Sequence, residues 1–216
     1  MGATKTAKVS ASPSPEQQIK DQYAVLFDNK NWRLFKKTAE YYLDTAAHLK
    51  TADLRPCENP LQIRNSQKRL FLGIGCELLV KSFFLKEGYC IHPFNREFRD
   101  KKNDPKWCAK LHRLSDLNVV DLDHRSTLTF NILIDHLRSL TRFSQAILTS
   151  LTIAKVFRNK EGHCTTSKQL FVAENYTDFA TGLVAFYKEG FGEALKMQIS
   201  MKPNEVAAFN VRKSAA

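Results

Sequence analysis

One face of a long predicted helix ends in an arginine. Apolar or small residues recur at alternating steps of three and four, and the next step lands on Arg158. These positions are Leu133, Leu137, Leu140, Ser144, Ile147, Leu151 and Ala154. Such spacing is typical of the packed face of an amphipathic helix. A charge on that face needs a partner, because removing it from water is costly. We therefore expect Arg158 to be held by another group.

Helical periodicity extends along most of the chain and predicts an all-α fold. Apolar stripes indicate helices at residues 31–49, 60–87 and 127–160, with an earlier helix from about residue 16 and a last one that ends at Gly190. No stretch shows strand alternation, and there is no internal repeat. The sequence therefore predicts a helical bundle built on two long helices, 60–87 and 127–160, with extra N-terminal helices.

The length of the chain predicts one domain. A chain of 216 residues can bury one sizeable core. We place that domain at residues 16–200, with its core at about 60–190. The segments 1–15 and 201–216 have little to bury and are predicted to be disordered tails. No apolar run approaches the roughly 20 residues that cross a bilayer, so we expect no membrane association.

The strongly basic composition favours an anionic partner. The formal net charge is +11, from 33 Lys and Arg against 22 Asp and Glu. Nucleic acid and acidic proteins are the partner classes that such a charge attracts. A basic surface kept for solubility is the alternative.

The five cysteines fit a reducing cytoplasm, because their number is odd and no CxxC occurs. Zinc ligands could come from Cys90, His92, Cys108 and His112, but their spacing matches no known zinc finger. We therefore predict no metal and no cofactor.

Residues 91–124 combine aromatic and basic side chains. Phe94, Phe98 and Trp107 alternate with Arg and Lys, a composition suited to stacking bases while holding phosphates. The same aromatic residues could instead fix a long loop to the body of the protein. A short helix is expected at 106–117. Our candidates for RNA contact are Lys81, Arg96, Arg99, Lys101, Lys102 and Lys160.

Several site types are absent from the sequence. There is no Walker A loop, GxGxxG, GxSxG or HExxH, and no acidic cluster suggests a two-metal nuclease. A nuclease without metal can use RNA, whose 2′-OH attacks the neighbouring phosphate. That reaction needs a base, an acid and a cation on the charged intermediate. Arg158 and His163 are residues of the right types.

Their spacing imposes two conditions. Five residues on an unbroken helix lie about 140° apart, so Gly162 would have to redirect His163. One histidine cannot be acid and base in the same step, and a two-fold dimer would supply a second copy.

On the preceding long helix, Glu77 has Lys81 one turn on. This carboxylate is either half of a solvated ion pair or a group that orients a cation in a site.

The segment Arg158-Asn159-x-x-x-His163 resembles the R-x4-6-H motif of the HEPN superfamily (higher eukaryote and prokaryote nucleotide-binding domains). The run from Gly75 to Lys81 is similar to the acidic-then-apolar helix that members place against this motif. The resemblance covers about residues 60–190.

The resemblance implies an all-α domain, usually a homodimer and often a metal-independent endoribonuclease of toxin–antitoxin or phage-defence systems. Arg158 and His163 would be catalytic, Asn159 would assist, and Glu77 would be a supporting polar group. RNA would be the substrate, with an antitoxin or nucleotidyltransferase-type protein as a possible partner. Thr165 departs from one subfamily, which has tyrosine there. The alternatives are a non-catalytic HEPN-like module that binds nucleotides or a partner protein, and a structural helical protein.

Overall fold

The computed structural model describes residues 31–50, 60–162 and 173–196, with the isolated positions 14, 15, 18, 52 and 54. The helix predicted from about residue 16 falls outside this described part except for position 18. The predicted tails, apart from residues 14 and 15, and Thr165 also fall outside it. His163 also lies outside it. The side chains of 61, 62, 160–162 and 173–177 are likewise not described, so the prediction for Lys160 is not addressed.

All the regular secondary-structure elements in the described part of the chain are helices. It contains two isolated β-bridges but no strand, and two short 3-10 turns lie at Leu114–Asp116 and Val119–Asp121. The all-α prediction is therefore confirmed. None of the described helices has the length and apolar character that crossing a bilayer requires. The helices are α1 (Trp32–His48), α2 (Pro60–Lys86), α3 (Arg96–Lys102), α4 (Pro105–Cys108), α5 (Phe130–Ser139), α6 (Gln145–Gly162) and α7 (Ala173–Phe191).

Helix α2 lies at the centre of the bundle. It packs against α1 and α6, and α6 packs in turn against α7 and α5. Two glycines two residues apart show that α1 and α6 lie on different sides of α2. A Cβ at Gly73 would lie 2.6 Å from the Arg158 nitrogen, whereas one at Gly75 would lie 2.8 Å from Leu43 Cγ. Two residues correspond to about 200° around a helix, so the two contacts face nearly opposite directions.

This central position explains why the predicted core face of α2 is only partly right. Leu85 is buried, but Leu70, Ile74 and Leu78 are only partly buried. A helix covered on several sides is apolar nearly all round, so its periodicity does not single out one face. The buried apolar positions of α2 are Leu72, Cys76, Leu79, Val80, Phe83, Phe84 and Leu85.

The single helix predicted at 127–160 is wrong: two helices, α5 and α6, occupy this region. The chain turns at Thr141, which has a φ of +52°. The break lets Phe143 enter the core, where its ring lies 5.1 Å from Phe83 and 5.3 Å from Phe186. In an unbroken helix Phe143 would lie about 100° away from Ser144 on the predicted stripe. Burial of this ring therefore outweighs helical continuity.

The connection between α2 and α5 forms a second, smaller core. Cys90, Phe94 and Leu122 are buried there, and Phe98 and Trp107 pack against them. The rings contact one another, with Phe94 centred 4.8 Å from Phe98 and 5.3 Å from Trp107. These contacts favour the interpretation in which the aromatic residues fix the connection to the body. The short helix predicted at 106–117 is corrected to α4, which ends at Cys108.

Candidate functional site

Arg158 is paired with Glu77 across the contact between α6 and α2. Its Nε lies 3.1 Å from Glu77 Oε2, and Lys81 Nζ lies 2.7 Å from Glu77 Oε1. The side chains of Glu77 and Lys81 are 10% and 11% exposed, whereas that of Arg158 is 45% exposed. A nearly buried carboxylate thus orients a guanidinium that still reaches solvent. This arrangement supplies the partner that the sequence requires for Arg158.

A glycine allows the two helices to come this close. Gly73 precedes Glu77 by four residues, so both lie on the same face of α2. A Cβ at Gly73 would lie 2.6 Å from the Arg158 nitrogen, 2.7 Å from its Cβ and 2.8 Å from the Ala154 oxygen. All three atoms belong to α6, and two of them are backbone. Because Gly73 has no side chain, the backbones of α2 and α6 can come close together there. This close contact places Arg158 opposite Glu77, which lies one turn after Gly73 on α2.

The guanidinium also contacts its sequence neighbour. Arg158 Nη1 donates to Asn159 Oδ1 at 3.2 Å, while Nη2 has no hydrogen-bond partner among the described residues. One turn earlier on α6, Lys155 Nζ donates to Asn131 Oδ1 at 3.0 Å. Arg158 lies about one turn before the end of α6, where the helix dipole favours positive charge.

The local charge is positive even after pairing. One carboxylate, on Glu77, faces two cations, on Lys81 and Arg158. An oriented, partly exposed guanidinium is well suited to bind phosphate oxygens. In the part of the chain that the structure describes, no three His, Cys, Asp or Glu side chains are placed to hold a metal ion. The arrangement can therefore bind an anion through side chains alone.

The neighbouring thiol cannot contribute nucleophilic chemistry here. Cys76 precedes Glu77 but is fully buried in the core. Burial raises the pKa of its thiol well above the ordinary value of 9.0. The reactive thiolate form is therefore suppressed.

The structure brings together four of the candidate residues: Glu77, Lys81, Arg158 and Asn159. Lys81 is nearly buried against Glu77, so its ammonium belongs to the ion-pair cluster and has little exposed surface. His163 follows the last residue of α6, Gly162, and its position is not described.

The other basic candidates lie elsewhere. Arg96, Arg99, Lys101 and Lys102 are exposed on α3, beyond the C-terminal end of α2. From Glu77 to Lys86, the last residue of α2, the rise along the helix is about 14 Å. Arg96 Nε lies 3.6 Å from Asp100 Oδ2, and Lys102 Nζ lies over the Trp107 ring at 4.6 Å. The structure does not bring these residues to Arg158.

Sequence reasoning missed two contributors. Lys155 adds a second cation on α6 one turn before Arg158, and Gly73 allows the close contact. Glycines inside a strong helical pattern were an available signal, because each costs about 1 kcal/mol relative to alanine and usually has a packing reason. No family model, curated protein or solved structure matches the chain. Function must therefore be inferred from the residues of the site.

Proposed function

We propose that the chain is a metal-independent endoribonuclease of the HEPN type, with Arg158 and His163 as its catalytic residues. The observation that supports this most is the ion pair between Glu77 and Arg158, one turn from the close approach of α2 and α6 at Gly73. It orients a cation at the start of the Arg-Asn-x-x-x-His segment and leaves it accessible. Asn159 assists by accepting a hydrogen bond from the same guanidinium.

In the proposed reaction the 2′-oxygen of a ribose attacks the adjacent phosphorus, and the 5′-oxygen leaves. The proton of the 2′-OH passes to a base, and an acid protonates the departing 5′-oxygen. The products are a 2′,3′-cyclic phosphate and a 5′-hydroxyl end. His163 serves in one proton transfer and the same histidine of a second copy in the other, so the proposed enzyme is a homodimer. Arg158 stabilises the extra negative charge on the phosphate.

Glu77 has a positioning role in this proposal. Its carboxylate fixes the Arg158 guanidinium through Nε, and Nη2, which has no hydrogen-bond partner among the described residues, is left to contact phosphate. Lys81 holds the other carboxylate oxygen and prevents Glu77 from rotating away. A preorganised cation costs little reorganisation when charge develops on the substrate. The exposed cations of α3 are proposed to contact RNA at a distance from the cut.

The test is cleavage of a mixed, structured RNA by purified protein in EDTA. We expect Arg158→Ala to reduce the rate about 10²–10³-fold, and His163→Ala about 10²–10⁴-fold. Arg138→Ala is a matched control, because Arg138 is also a partly exposed arginine paired with a carboxylate. Its side chain is 55% exposed, and its Nη1 lies 2.6 Å from Asp135 Oδ1. His48→Ala is the corresponding histidine control, since His48 is exposed on α1. Both controls should cleave as the wild type does.

Two results would contradict the proposal. Cleavage that persists in both motif variants would come from another nuclease in the preparation. Cleavage that appears only when a divalent cation is added would require a different chemistry. RNA binding without cleavage would instead favour the non-catalytic module. Light scattering tests the dimer, because a strict monomer provides one histidine where two are needed.

The biological role rests on the same site. Growth arrest on expression, relieved by Arg158→Ala and His163→Ala but not by the control variants, would support a toxin or phage-defence role. An antitoxin or a nucleotidyltransferase-type partner would then be sought by co-purification with the inactive His163→Ala protein. Growth arrest that is unchanged in both motif variants would exclude this role for the proposed site.

A further inference from the structure

A cleft of about 510 Å³ lies between the α2–α5 connection and the outer face of α5, and none of Glu77, Lys81 and Arg158 lines it. Its walls are mostly apolar, and its apolar side chains include Phe94, Leu117, Leu128 and Ile132. Ile132 is 39% exposed although it lies on a helix that packs on the core. Sites for small organic ligands are concave and mostly apolar, with volumes of roughly 300–1,000 Å³. The cleft has the size and character of such a site.

The walls of the cleft are held in place before any ligand arrives. The Cys90 nitrogen donates to the His112 oxygen at 2.9 Å, and the Leu128 nitrogen donates to the Ile91 oxygen at 2.8 Å. The Trp107 ring lies 4.2 Å from the His112 ring behind the wall. Because these segments are already ordered, binding needs little further loss of conformational entropy.

Three histidines add polar groups to this apolar surface. The ring of His92 donates through Nδ1 to the Ser126 oxygen at 2.8 Å, and the ring of His112 donates through Nε2 to the Trp107 oxygen at 2.8 Å. Backbone carbonyls thus fix both tautomers, because a carbonyl oxygen can only accept.

The third histidine, His136, is 8% exposed; its backbone oxygen accepts from Ser139 Oγ at 2.7 Å, but its ring makes no hydrogen bond to a described residue. Burial lowers its pKa below the ordinary value of 6.5, so the ring is neutral near pH 7. It offers one donor and one acceptor to a ligand inside the cleft.

Two cations at the edge of the cleft give the site its charge preference. Arg99 and Lys110 line it, are exposed, and form no ion pair with any residue in the described ranges. The carboxylate that also lines the cleft, Asp135, is already engaged, because it accepts from Arg138 at 2.6 Å. The edge therefore carries positive charge that an anionic group can neutralise.

A metal ion fits this cleft poorly. The thiol of Cys90 donates to the His92 oxygen at 3.4 Å, and burial raises its pKa. A thiol must lose its proton before it can bind a metal ion. Within residues 31–50, 60–162 and 173–196, no three His, Cys, Asp or Glu side chains converge as ligands. The cleft is therefore suited to an organic ligand.

We infer that this cleft binds an amphipathic organic anion, with its ring system against Phe94, Leu128 and Ile132 and its carboxylate or similar head group at Arg99 and Lys110. This binding does not depend on RNA cleavage, although Arg99 also belongs to the α3 cations proposed to contact RNA, and its test uses no RNA. The charged head group of the ligand would neutralise the two cations that have no ion pair, and its apolar body would cover the apolar wall of the cleft. His136 provides an uncharged hydrogen bond between them.

The test compares two fluorescent probes that share the same rings. Anilinonaphthalene sulfonate carries the anionic group, and N-phenyl-1-naphthylamine lacks it. We expect saturable binding of the sulfonate at one site per chain, weakened about tenfold by Arg99→Gln with Lys110→Gln. The matched control, Arg96→Gln with Lys101→Gln, removes the same charge from α3 at positions outside the cleft. It should change the affinity by less than about twofold, because surface charges away from the site are screened. The uncharged probe should bind more weakly and respond to neither pair.

A second variant tests the location of the bound probe. Ile132→Trp fills the cleft and should abolish binding of both probes, whereas Leu34→Trp, at an exposed apolar site on α1, should leave it unchanged. The inference is overturned if no saturable binding occurs, if Ile132→Trp spares it, or if both charge pairs weaken the sulfonate equally. Equal affinity for the two probes would refute the anionic part. The charge variants are all at exposed positions and do not depend on refolding of the core.

Discussion

Gly73→Ala is the most direct test of the contact on which the Arg158 site depends. The added Cβ would meet three atoms of α6 at 2.6–2.8 Å, whereas ordinary contacts begin near 3.4 Å. The helices must therefore separate by about 0.6–0.8 Å, because two of the three atoms are backbone and cannot rotate away. Overpacking of this kind costs about 1–3 kcal/mol, and the better helix propensity of alanine returns about 1 kcal/mol. We expect a net loss of about 0–2 kcal/mol in the free energy of unfolding.

Moving α2 and α6 apart in Gly73→Ala should affect the proposed RNA cleavage more strongly than it affects folding stability. Arg158 Nε lies 3.1 Å from Glu77 Oε2, and a shift of this size lengthens the contact beyond a normal hydrogen bond. The proposed cleavage rate should therefore fall at a temperature where the variant is still folded. Urea denaturation measures the first effect, and RNA cleavage in EDTA measures the second.

Gly75→Ala is the matched control on the same helix. On the α1 side of α2, its Cβ would approach Leu43 side-chain atoms at 2.8 and 2.9 Å and the backbone oxygen of Ala39 at 3.2 Å, so its one backbone contact is longer than those of Gly73. A leucine side chain can shift more readily than a backbone, so we expect a smaller loss of stability and an unchanged cleavage rate. Were Gly73→Ala to stabilise the protein by about 1 kcal/mol, as propensity alone predicts, the close contact of α2 and α6 would be refuted.

Three further predictions concern buried polar groups. Glu77→Leu should lower the free energy of unfolding by about 2–3 kcal/mol, measured in urea, because it leaves nearly buried Lys81 without its carboxylate. For His136, whose pKa is lowered by burial, folding stability should be complete above pH 6.5 and fall as the pH drops below it; His136→Gln should flatten this part of the pH–stability profile. Burial, with the hydrogen bond to Glu40, raises the pKa of Tyr187 to about 12 from 10.0. Its contribution should therefore be present below pH 10 and lost as the pH rises through about 12, and Tyr187→Phe should remove this dependence in alkaline unfolding measurements.

The helices with strong local signals could be predicted from the sequence. The helix predicted at 31–49 is α1, with Phe35, Ala39 and Leu43 on its buried face. The helix predicted at 60–87 is α2, and Gly88 follows it with a φ of +78°. In each case the signal is local, because an apolar stripe and a helix-ending glycine lie within the segment itself.

The break between α5 and α6 could not be predicted in the same way. A helix end with positive φ is usually marked by glycine or asparagine, and here it is Thr141. The reason for the break is distant in sequence, since Arg142 Nη2 donates to the Glu189 oxygen at 2.6 Å and Phe143 packs on Phe83 and Phe186. These contacts form only when α2 and α7 are in place.

The candidate site was predictable in part because charge imposes local requirements. An arginine on a packed face needs a partner, and Glu77 was already a candidate to orient a cation. The cleft beside α5 was not predictable, because its walls come from residues 90–136 folded against one another. The aromatic residues of that segment indicated base stacking as readily as loop packing, and only ring contacts such as those of Phe94 with Phe98 and Trp107 favour one over the other.

The number of cations around Glu77 is itself informative. Lys81 lies on the same helix, 2.7 Å from the carboxylate, and is enough to neutralise it. Arg158 is therefore not needed to compensate a buried negative charge, yet it approaches the other oxygen at 3.1 Å. A second cation at one carboxylate adds repulsion between the two cations, and that repulsion is relieved when an anion binds beside the exposed one. The arrangement is thus better balanced with a phosphate at Arg158 than without it, which is what the proposed reaction requires of its cation.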